Sequence, residues 1–131
     1  MSHPKVRVMA AVIYREDRVL VCRRPLHKRH GGLWEFPGGK CEPGESDAAA
    51  IERELREELA VSVTSVGPAW GAVADPLSEF VIVFAPVCIE GEPECLEHSE
   101  IRWVPVGELS NMTLAPSDRA FVQDWLPLQI P

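Results

Sequence analysis

The sequence predicts a mixed fold of class α/β (α+β) in a single domain, residues 1–131. Segments rich in β-branched residues and bounded by turn residues predict strands, and a long run of strong helix formers predicts a helix. Of the 131 residues 46% are hydrophobic, which is enough for one buried core and too little for two ordinary domains. We therefore expect one core built from both kinds of element.

Strands are distributed along most of the chain. They are predicted at residues 5–14, 19–22, 61–74, 79–89 and 101–106. The polar residues 15–18 predict a hairpin between the first two strands, and residues 75–76 and 91–93 predict later turns. Residues 33–36 form a short apolar stretch, after which Pro37-Gly38-Gly39 predicts a further turn.

Two helices are predicted. The first begins after the N-cap Ser46 and runs to Leu59, and the second is capped by Ser117 and ends before Pro127. In the first helix one apolar stripe is expected to pack on the sheet, formed by Ala48, Ile51, Leu55 and Leu59. In the second helix the residues expected to face the core are Ala120, Phe121, Val122 and Trp125.

Charge and cysteine usage argue against several classes of protein. A formal net charge of −7 disfavours a general nucleic-acid binder, because a phosphate backbone calls for a basic surface. The cysteines lack CxxC spacing, so a zinc cage is not expected. We found no signal-peptide pattern at the N-terminus and no apolar run long enough to cross a bilayer. We expect a cytoplasmic protein with reduced thiols and no membrane partner.

The first helix has an acidic face beside its apolar stripe. Glu54, Glu57 and Glu58 lie at i, i+3 and i+4, so their carboxylates converge and repel one another by roughly a few tenths of a kcal/mol per pair. A cation would make this arrangement favourable. Hard cations prefer oxygen ligands, and this face offers carboxylates without a competing thiolate or imidazole. The face therefore predicts a site for Mg²⁺, with Mn²⁺ as a substitute.

The alternative is an ordinary solvated face. Glu52 with Arg56 and Arg53 with Glu57 supply oppositely charged i, i+4 pairs of the kind that such faces carry. Two features favour a site. Ala50 is small and leaves room on the acidic face, and the Gly38-Gly39 pair just upstream lets main-chain atoms approach ions or phosphates closely.

A spaced motif covers the same region. Gly39 is followed after five residues by Glu45 and after seven more by RELREELAV, residues 53–61. This closely resembles the Nudix box of the Nudix hydrolases, over residues 39–61. Ala60 departs from the family, which has glycine there, and a left-handed cap without glycine costs on the order of 1 kcal/mol. The resemblance implies a mixed sheet sandwiched between helices (α/β/α), with the box as a loop-helix-loop.

The resemblance also implies metal and catalytic roles. It assigns Glu54, Glu57, Glu58 and the Gly39 carbonyl to the metal ions, and Arg53 and Glu45 to orienting those carboxylates. Family members often add a glutamate from a later loop, and we choose Glu97 for that role in this chain. Glu94 and Glu100 compete with it, and a solvated loop carboxylate is the alternative for each.

Further residues resemble the MutT-type branch of the family, which includes CTP pyrophosphohydrolases. The segments LWEFPGGK, residues 33–40, and LAPSD, residues 114–118, carry this likeness. It implies that Arg24 touches the substrate, that Asp118 hydrogen-bonds the base, and that Phe36 lines the base pocket. Lys40 either adds positive potential for phosphates or is an ordinary surface lysine. Asp118 is equally explained as an acid in the first turn of a helix, and Phe36 as a core residue.

The implied activity is hydrolysis of a nucleoside or deoxynucleoside triphosphate, including modified ones, to the monophosphate and pyrophosphate. Cleavage of ADP-ribose or a related dinucleotide is a second interpretation, for which Pro76 is a hint, although Asp75-Pro76 is also an ordinary turn. A nucleotide-sensing module without catalysis is a third, disfavoured by the intact charged positions. The partner expected is a small nucleotide, bound by a monomer or homodimer.

Overall fold

The computed structural model describes residues 6–129. In chain order its elements are β1 (Val6–Arg15), β2 (Arg18–Arg23), β3 (Trp34–Glu35), β4 (Gly38–Lys40), α1 (Asp47–Leu59), β5 (Ser62–Val66), β6 (Gly71–Ala74), β7 (Phe80–Glu90), β8 (Glu100–Pro105), a 3-10 helix (Val106–Asn111) and α2 (Pro116–Gln129).

One mixed sheet of eight strands lies at the centre of this region. Its main path runs β3, β2, β1, β7, β5, while β8 pairs with β2, β4 with β1 and β6 with β7. β1 and β7 are parallel, with Val6 opposite Phe80 and Ile13 opposite Val87. The other strand pairs are antiparallel. The sheet therefore mixes both pairings, as the sequence predicted.

A core lies on each face of the sheet, because successive residues of β1 point to opposite sides. The core on the α1 side includes Met9, Ala11 and Ile13 of β1 with Ile51, Leu55 and Leu59 of α1. The core on the α2 side includes Ala10 and Val12 of β1 with Phe121, Val122 and Trp125 of α2. The two helices thus cover opposite faces, and the expected α/β/α sandwich is confirmed.

The strand predictions hold with two corrections. The predicted hairpin is present, with Arg15 paired to Arg18 across its turn, while Lys5, predicted to begin β1, lies outside the described residues. The predicted strand over 61–74 is two strands, β5 and β6, both paired to β7. It breaks at Gly67-Pro68, where proline has no N–H to donate to a ladder.

The second correction concerns Gly38 and Gly39, which were predicted to form a turn. They lie in β4, which pairs with β1 through Met9 opposite Gly39 and Ala10 opposite Gly38. Gly38 has φ 149°, and a Cβ at this position would overlap the carbonyl of Met9. Glycine is needed here because β4 approaches β1 so closely.

The second helix differs from its prediction at both ends. It begins at Pro116, so Ser117 lies in its first turn and is not the N-cap. Proline suits the first helical position, where its missing N–H would have no partner. The helix also continues through Pro127 to Gln129 instead of ending before the proline. Pro127 cannot donate to the Gln123 carbonyl, but it falls in the last turn, after the buried Trp125, so few intrahelical hydrogen bonds follow it. No helix among the described residues is long and apolar enough to span a membrane.

The apolar stripe of α1 is shifted from the predicted one. Ile51, Leu55 and Leu59 are buried, but Ala48 is exposed and Ala50 is fully buried instead. Ala50 therefore leaves no room for a substrate, contrary to the prediction. The reason is that α1 packs against β4 and β5 as well as β1, which covers the first turns of the acidic face.

Ala60→Gly is expected to raise the free energy of unfolding by up to about 1 kcal/mol. Ala60 caps α1 in the left-handed conformation, at φ 55° and ψ 38°, with its N–H bonded to the Arg56 carbonyl. Glycine adopts this conformation without a Cβ penalty. Urea unfolding measures the change. Ala48→Gly, at an exposed helical position, is the control and should destabilise the protein instead; a loss of stability in Ala60→Gly would contradict the prediction.

Candidate active site

The candidate site starts from the way α1 is held. Ser46 caps the helix by accepting a 3.1 Å hydrogen bond from the Ala49 N–H, and the buried stripe fixes the helix on the sheet. This orients the face with Glu54, Glu57 and Glu58 towards β4 and the loop before β8. Glu58 is buried, whereas the Glu57 side chain is 52% exposed. The three carboxylates thus run from the protein interior to solvent.

Arg53 organises the acidic residues around it. Its guanidinium donates to both carboxylate oxygens of Glu45 at 2.9 Å, to Glu54 Oε1 at 2.8 Å and to the Lys40 carbonyl at 2.9 Å. Glu57 lies 3.8 Å from the same group. The hydrogen bonds from Arg53, followed by one from the Glu42 N–H, lower the pKa of Glu45 to about 2. Glu45 and Arg53 therefore form a fixed ion pair that orients Glu54.

β4 brings main chain directly against the acidic face. A Cβ at Gly39 would overlap the Glu54 carboxylate as it is placed, so a larger residue here would displace that carboxylate from the main chain of β4. The Gly38 N–H donates to Glu58 Oε2 at 3.3 Å. Burial raises the pKa of Glu54, and burial followed by the charge of Glu54 raises the pKa of Glu58 to about 9. The site holds carboxyl groups in surroundings that oppose their ionisation.

These residues fit a hard divalent cation in their chemistry. The donors are carboxylate and carbonyl oxygens, which Mg²⁺ and Mn²⁺ prefer, and a bound cation would stabilise the ionised carboxylates that burial opposes. Among residues 6–129, no cluster of three or more His, Cys, Asp or Glu side chains is already arranged as a metal site. Glu54 instead pairs with Arg53, and Glu58 with Gly38. Each contact uses one oxygen of its carboxylate, Glu54 Oε1 and Glu58 Oε2, and leaves the second oxygen for a cation.

Glu97 lies in the loop between β7 and β8, which packs on the end of α1. The N–H groups of Glu94 and Leu96 donate to the carbonyls of Leu59 and Glu58, at 2.8 and 3.1 Å. These are carbonyls that a helix end leaves without intrahelical partners. The charge of Glu97 raises the pKa of both Glu54 and Glu58. Glu97 is exposed and near the acidic face, in the neighbourhood the sequence predicted.

Arg24 is tied to residues that the sequence did not single out. It donates to the Arg29 carbonyl at 2.6 Å and to Glu35 Oε1 at 3.0 Å. The other Glu35 oxygen lies 3.1 Å from His98 Nε2. The charge of Glu35 contributes to the raised pKa of Glu58 and of Asp118. Glu35 therefore lies between the acidic helix and the start of α2, a position that its place in a short apolar stretch did not reveal.

Asp118 and Phe36 are both buried and joined to each other. Asp118 Oδ1 accepts a 3.0 Å hydrogen bond from the Phe36 N–H. The Phe36 ring packs edge-on against Phe84 and Phe121 in the core on the α2 side. The ring therefore takes the core position that the sequence left as an alternative, and it is not open to a base in this conformation. Lys40 is exposed, with its Nζ 4.7 Å from the centre of the Phe80 ring.

Asp118→Asn is expected to reduce the pH dependence of stability. Burial, followed by the charge of Glu35, raises the pKa of Asp118 from 3.8 to about 8. Between these values the folded protein keeps a proton that the unfolded chain loses, so the wild type loses stability as the pH rises from about 4 to about 8. The Asn variant retains the acceptor for Phe36 and lacks this proton.

Urea unfolding at about pH 5 and about pH 8 tests this expectation. The stability of wild type relative to Asp118→Asn should fall at the higher pH. Asp124→Asn, an exposed acid on the same helix, should keep the pH dependence of wild type. The same difference between wild type and Asp118→Asn at both pH values would mean that Asp118 does not take up a proton on folding.

Two clefts in the surface lie away from the acidic helix. One of about 360 Å³ lies beside β8, around Trp103 and Asn111. Another of about 260 Å³ lies between the 3-10 helix and α2, around Leu114 and Arg119. Neither is lined by α1 or β4. We locate the candidate site by its charged groups and not by cleft size, because a nucleotide phosphate needs cations and donors more than a deep apolar cavity.

Known proteins resemble this chain over most of its length. A CTP pyrophosphohydrolase of Escherichia coli K12 is 34% identical over 127 residues, covering 95% of this chain and 93% of that protein. A putative 8-oxo-dGTP diphosphatase 2 of Mycobacterium tuberculosis H37Rv is 33% identical over 125 residues, covering 89% and 85%. A structure from work on MutT of Aliivibrio salmonicida and Vibrio cholerae matches with a TM-score of 0.82 at 30% identity, covering 95% of this chain and 98% of the other.

The NUDIX domain family matches residues 3–125. This range includes the Arg53 cluster, the glycines of β4 and the buried Asp118, together with all of α1 and the first ten residues of α2, 116–125. The family match, the relatives and the α/β/α architecture agree with the motif at residues 39–61. The chain belongs to the Nudix family and is a hydrolase acting on acid anhydrides.

Proposed function

We propose that this Nudix hydrolase cleaves a nucleoside or deoxynucleoside triphosphate, modified ones included, to the monophosphate and pyrophosphate in a reaction that depends on Mg²⁺. The observation that carries the proposal is the arrangement around Arg53, which ties Glu45 and Glu54 together beside Gly39. The relatives named for CTP and 8-oxo-dGTP support the choice of substrate class. We propose further that residues 1–131 make up one Nudix domain.

The metal would be held by the Gly39 carbonyl and by Glu54, Glu57, Glu58 and Glu97. When bound, Mg²⁺ or Mn²⁺ neutralises phosphate oxygens and lowers the pKa of a bound water. The protein's own residues position these groups. Arg53 and Glu45 keep Glu54 beside Gly39, and the packing of the loop on α1 keeps Glu97 near the acidic face.

Four further residues are assigned to the substrate in this proposal: Arg24, Lys40, Asp118 and Phe36. Arg24 would donate to an anionic or carbonyl oxygen of the nucleotide, because its guanidinium has donors beyond those engaged by Glu35 and Arg29. Lys40 would add positive potential. Asp118 would hydrogen-bond the base, and Phe36 would act through its main chain, since its ring is buried. Asp118 with a raised pKa can donate as well as accept a hydrogen bond.

ADP-ribose is the second candidate substrate, and no contact among residues 6–129 favours it. Pro76, the residue that hinted at it, belongs to a turn closed by Asp75, whose carboxylate accepts from the Leu77 N–H and the Ser78 hydroxyl at 2.9 Å. This turn explains the Asp-Pro pair without a ligand.

A sensing module is the third candidate, and the buried acidic groups around Gly39 argue against it because their burial is unfavourable without a cation. The free thiols support a cytoplasmic enzyme.

A nucleotide panel tests the proposal. The purified protein is incubated with CTP, dCTP, 5-methyl-dCTP, 8-oxo-dGTP and ADP-ribose, with Mg²⁺, Mn²⁺ or EDTA, and the products are separated by chromatography. Monophosphate formed only with a metal supports the proposal. AMP with ribose phosphate as the main products would favour the second candidate. Nucleotide binding without cleavage under any of these conditions would favour a sensing module.

A further inference from the structure

The loop that carries Glu97 is fixed at both ends by main-chain hydrogen bonds. We define the Glu97 loop as residues 94–99. At its start it is bonded to the end of α1, as described above, and at its end the Ser99 N–H donates to the Arg23 carbonyl at 3.0 Å. Between these bonds lie Glu97 and His98. The His98 carbonyl accepts from Cys95 Sγ at 3.1 Å within the loop, and one side chain of this part reaches across to another element.

His98 is that side chain. Its imidazole is only 7% exposed, and Nε2 lies 3.1 Å from Glu35 Oε2. A neutral imidazole that donates from Nε2 has an acceptor at Nδ1, and Nδ1 is buried here without a hydrogen-bond partner. Leaving a buried polar atom unpaired is unfavourable. His98 therefore reaches Glu35 with Nε2 while Nδ1 stays unpaired. This arrangement is explained if the bond from Nε2 to Glu35 positions the Glu97 loop.

Glu35 connects this bond to the opposite side of the site. Its second oxygen accepts from Arg24 Nη1 at 3.0 Å, and its side chain is 20% exposed. The Glu35 carboxylate therefore contacts both Arg24, which directly follows β2, and His98, which lies 63 positions after Glu35. Partially buried hydrogen bonds of this kind fix the orientation of the groups that bind metals and substrates.

We propose that His98 and Glu35 form a latch that holds the Glu97 loop against the site and so points Glu97 towards the acidic face of α1. His98 is a positioning residue that acts through Glu97 and makes no contact with the substrate. The role of Glu97 in metal binding rests on the proposed function, whereas the latch itself is a contact between described residues.

The latch is tested by comparing His98→Gln with His98→Asn. A glutamine amide nitrogen reaches about as far as Nε2 of histidine and keeps the donor to Glu35, whereas an asparagine nitrogen stops near the position of Nδ1. We expect His98→Asn to lower kcat about 10-fold with KM within about twofold, and to weaken Mn²⁺ binding about 10-fold. We expect His98→Gln to stay near wild type. Leu96→Ala, an exposed change in the same loop, is the control and should also stay near wild type.

A double variant shows whether His98 acts through Glu97. If it does, His98→Asn costs nothing further in a protein that already carries Glu97→Gln, because interacting residues are not additive. Equal losses in the presence and absence of Glu97 would overturn the proposal. So would equal kcat values for His98→Gln and His98→Asn.

Amide hydrogen exchange provides a readout that does not depend on catalysis. Residues 96–99 should exchange faster in His98→Asn than in His98→Gln or wild type, since the loop would open more often. If wild type cleaves no nucleotide, the proposed function fails and the exchange experiment still decides on the latch. Unchanged exchange in His98→Asn would refute it.

Discussion

Glu57→Gln is expected to lower kcat by about 10²–10³-fold while the protein stays folded. The substitution keeps the size of the side chain and removes one negative charge from the acidic face. Metal ions supply several kcal/mol of charge stabilisation in reactions at phosphorus, and a loss of about 3–4 kcal/mol corresponds to this decrease. Stability should change little, because the Glu57 side chain is 52% exposed and lies 3.8 Å from Arg53. Steady-state kinetics with Mg²⁺ and thermal unfolding measure the two effects.

Glu52→Gln provides the matched control for Glu57→Gln. Glu52 is an exposed glutamate of the same helix, outside the acidic face of Glu54, Glu57 and Glu58. The same charge is removed, so any general electrostatic effect on the substrate is reproduced. Activity near wild type in Glu52→Gln and a large loss in Glu57→Gln would assign the effect to the site. Comparable activities in both variants would contradict the metal-binding role of Glu57.

Arg53→Gln is expected to lower kcat by about 100-fold and to destabilise the fold. The guanidinium joins Glu45, Glu54 and the Lys40 carbonyl, and its side chain is only 23% exposed. Removing it leaves the carboxylates of Glu45 and Glu54 without their donor, so the free energy of unfolding should fall. Glu54 would then be free to turn away from Gly39, so the metal site would lose its preorganisation.

Arg53→Lys tests whether charge alone is sufficient. A lysine keeps the positive charge but cannot donate simultaneously to Glu45, Glu54 and a carbonyl in the planar geometry of a guanidinium. We expect it to remain far less active than wild type. Arg56→Gln, at an exposed position one turn away, is the control and should retain activity. Full activity in Arg53→Lys would show that the simultaneous hydrogen bonds of the guanidinium to Glu45, Glu54 and the Lys40 carbonyl are dispensable.

Local patterns in the sequence were sufficient to predict α1 and its acidic face. Ser46 and the spacing of Ile51, Leu55 and Leu59 act within one or two turns, so they specify the helix without knowledge of the rest of the fold. The resemblance at residues 39–61 added the expectation that Arg53 and Glu45 orient the carboxylates of the acidic face. In the structure Arg53 bonds both Glu45 and Glu54, and the role itself stays a prediction. These features were predictable because the residues involved are close in sequence.

Features that depend on distant contacts were missed or assigned wrongly. Glu35 pairs with Arg24 and His98, which lie 11 and 63 positions away, and no spacing rule connects residues so far apart. The burial of Ala50 and of the Phe36 ring depends on how β4 and α2 pack on the sheet. The continuation of α2 through Pro127 was also predicted wrongly, because a proline in the last turn interrupts few hydrogen bonds. Base recognition by Asp118 also depends on contacts between residues distant in sequence, and it stays a prediction.

Phosphorus NMR of the reaction with CTP tests the central claim most directly. The protein is incubated with CTP and Mg²⁺, and the products are compared with those of Glu57→Gln and of wild type with EDTA. The account predicts CMP and pyrophosphate in a 1:1 ratio for wild type with Mg²⁺ and almost none in the other two samples. CDP with orthophosphate, or equal amounts of CMP with EDTA, would contradict metal-dependent cleavage between the α and β phosphates.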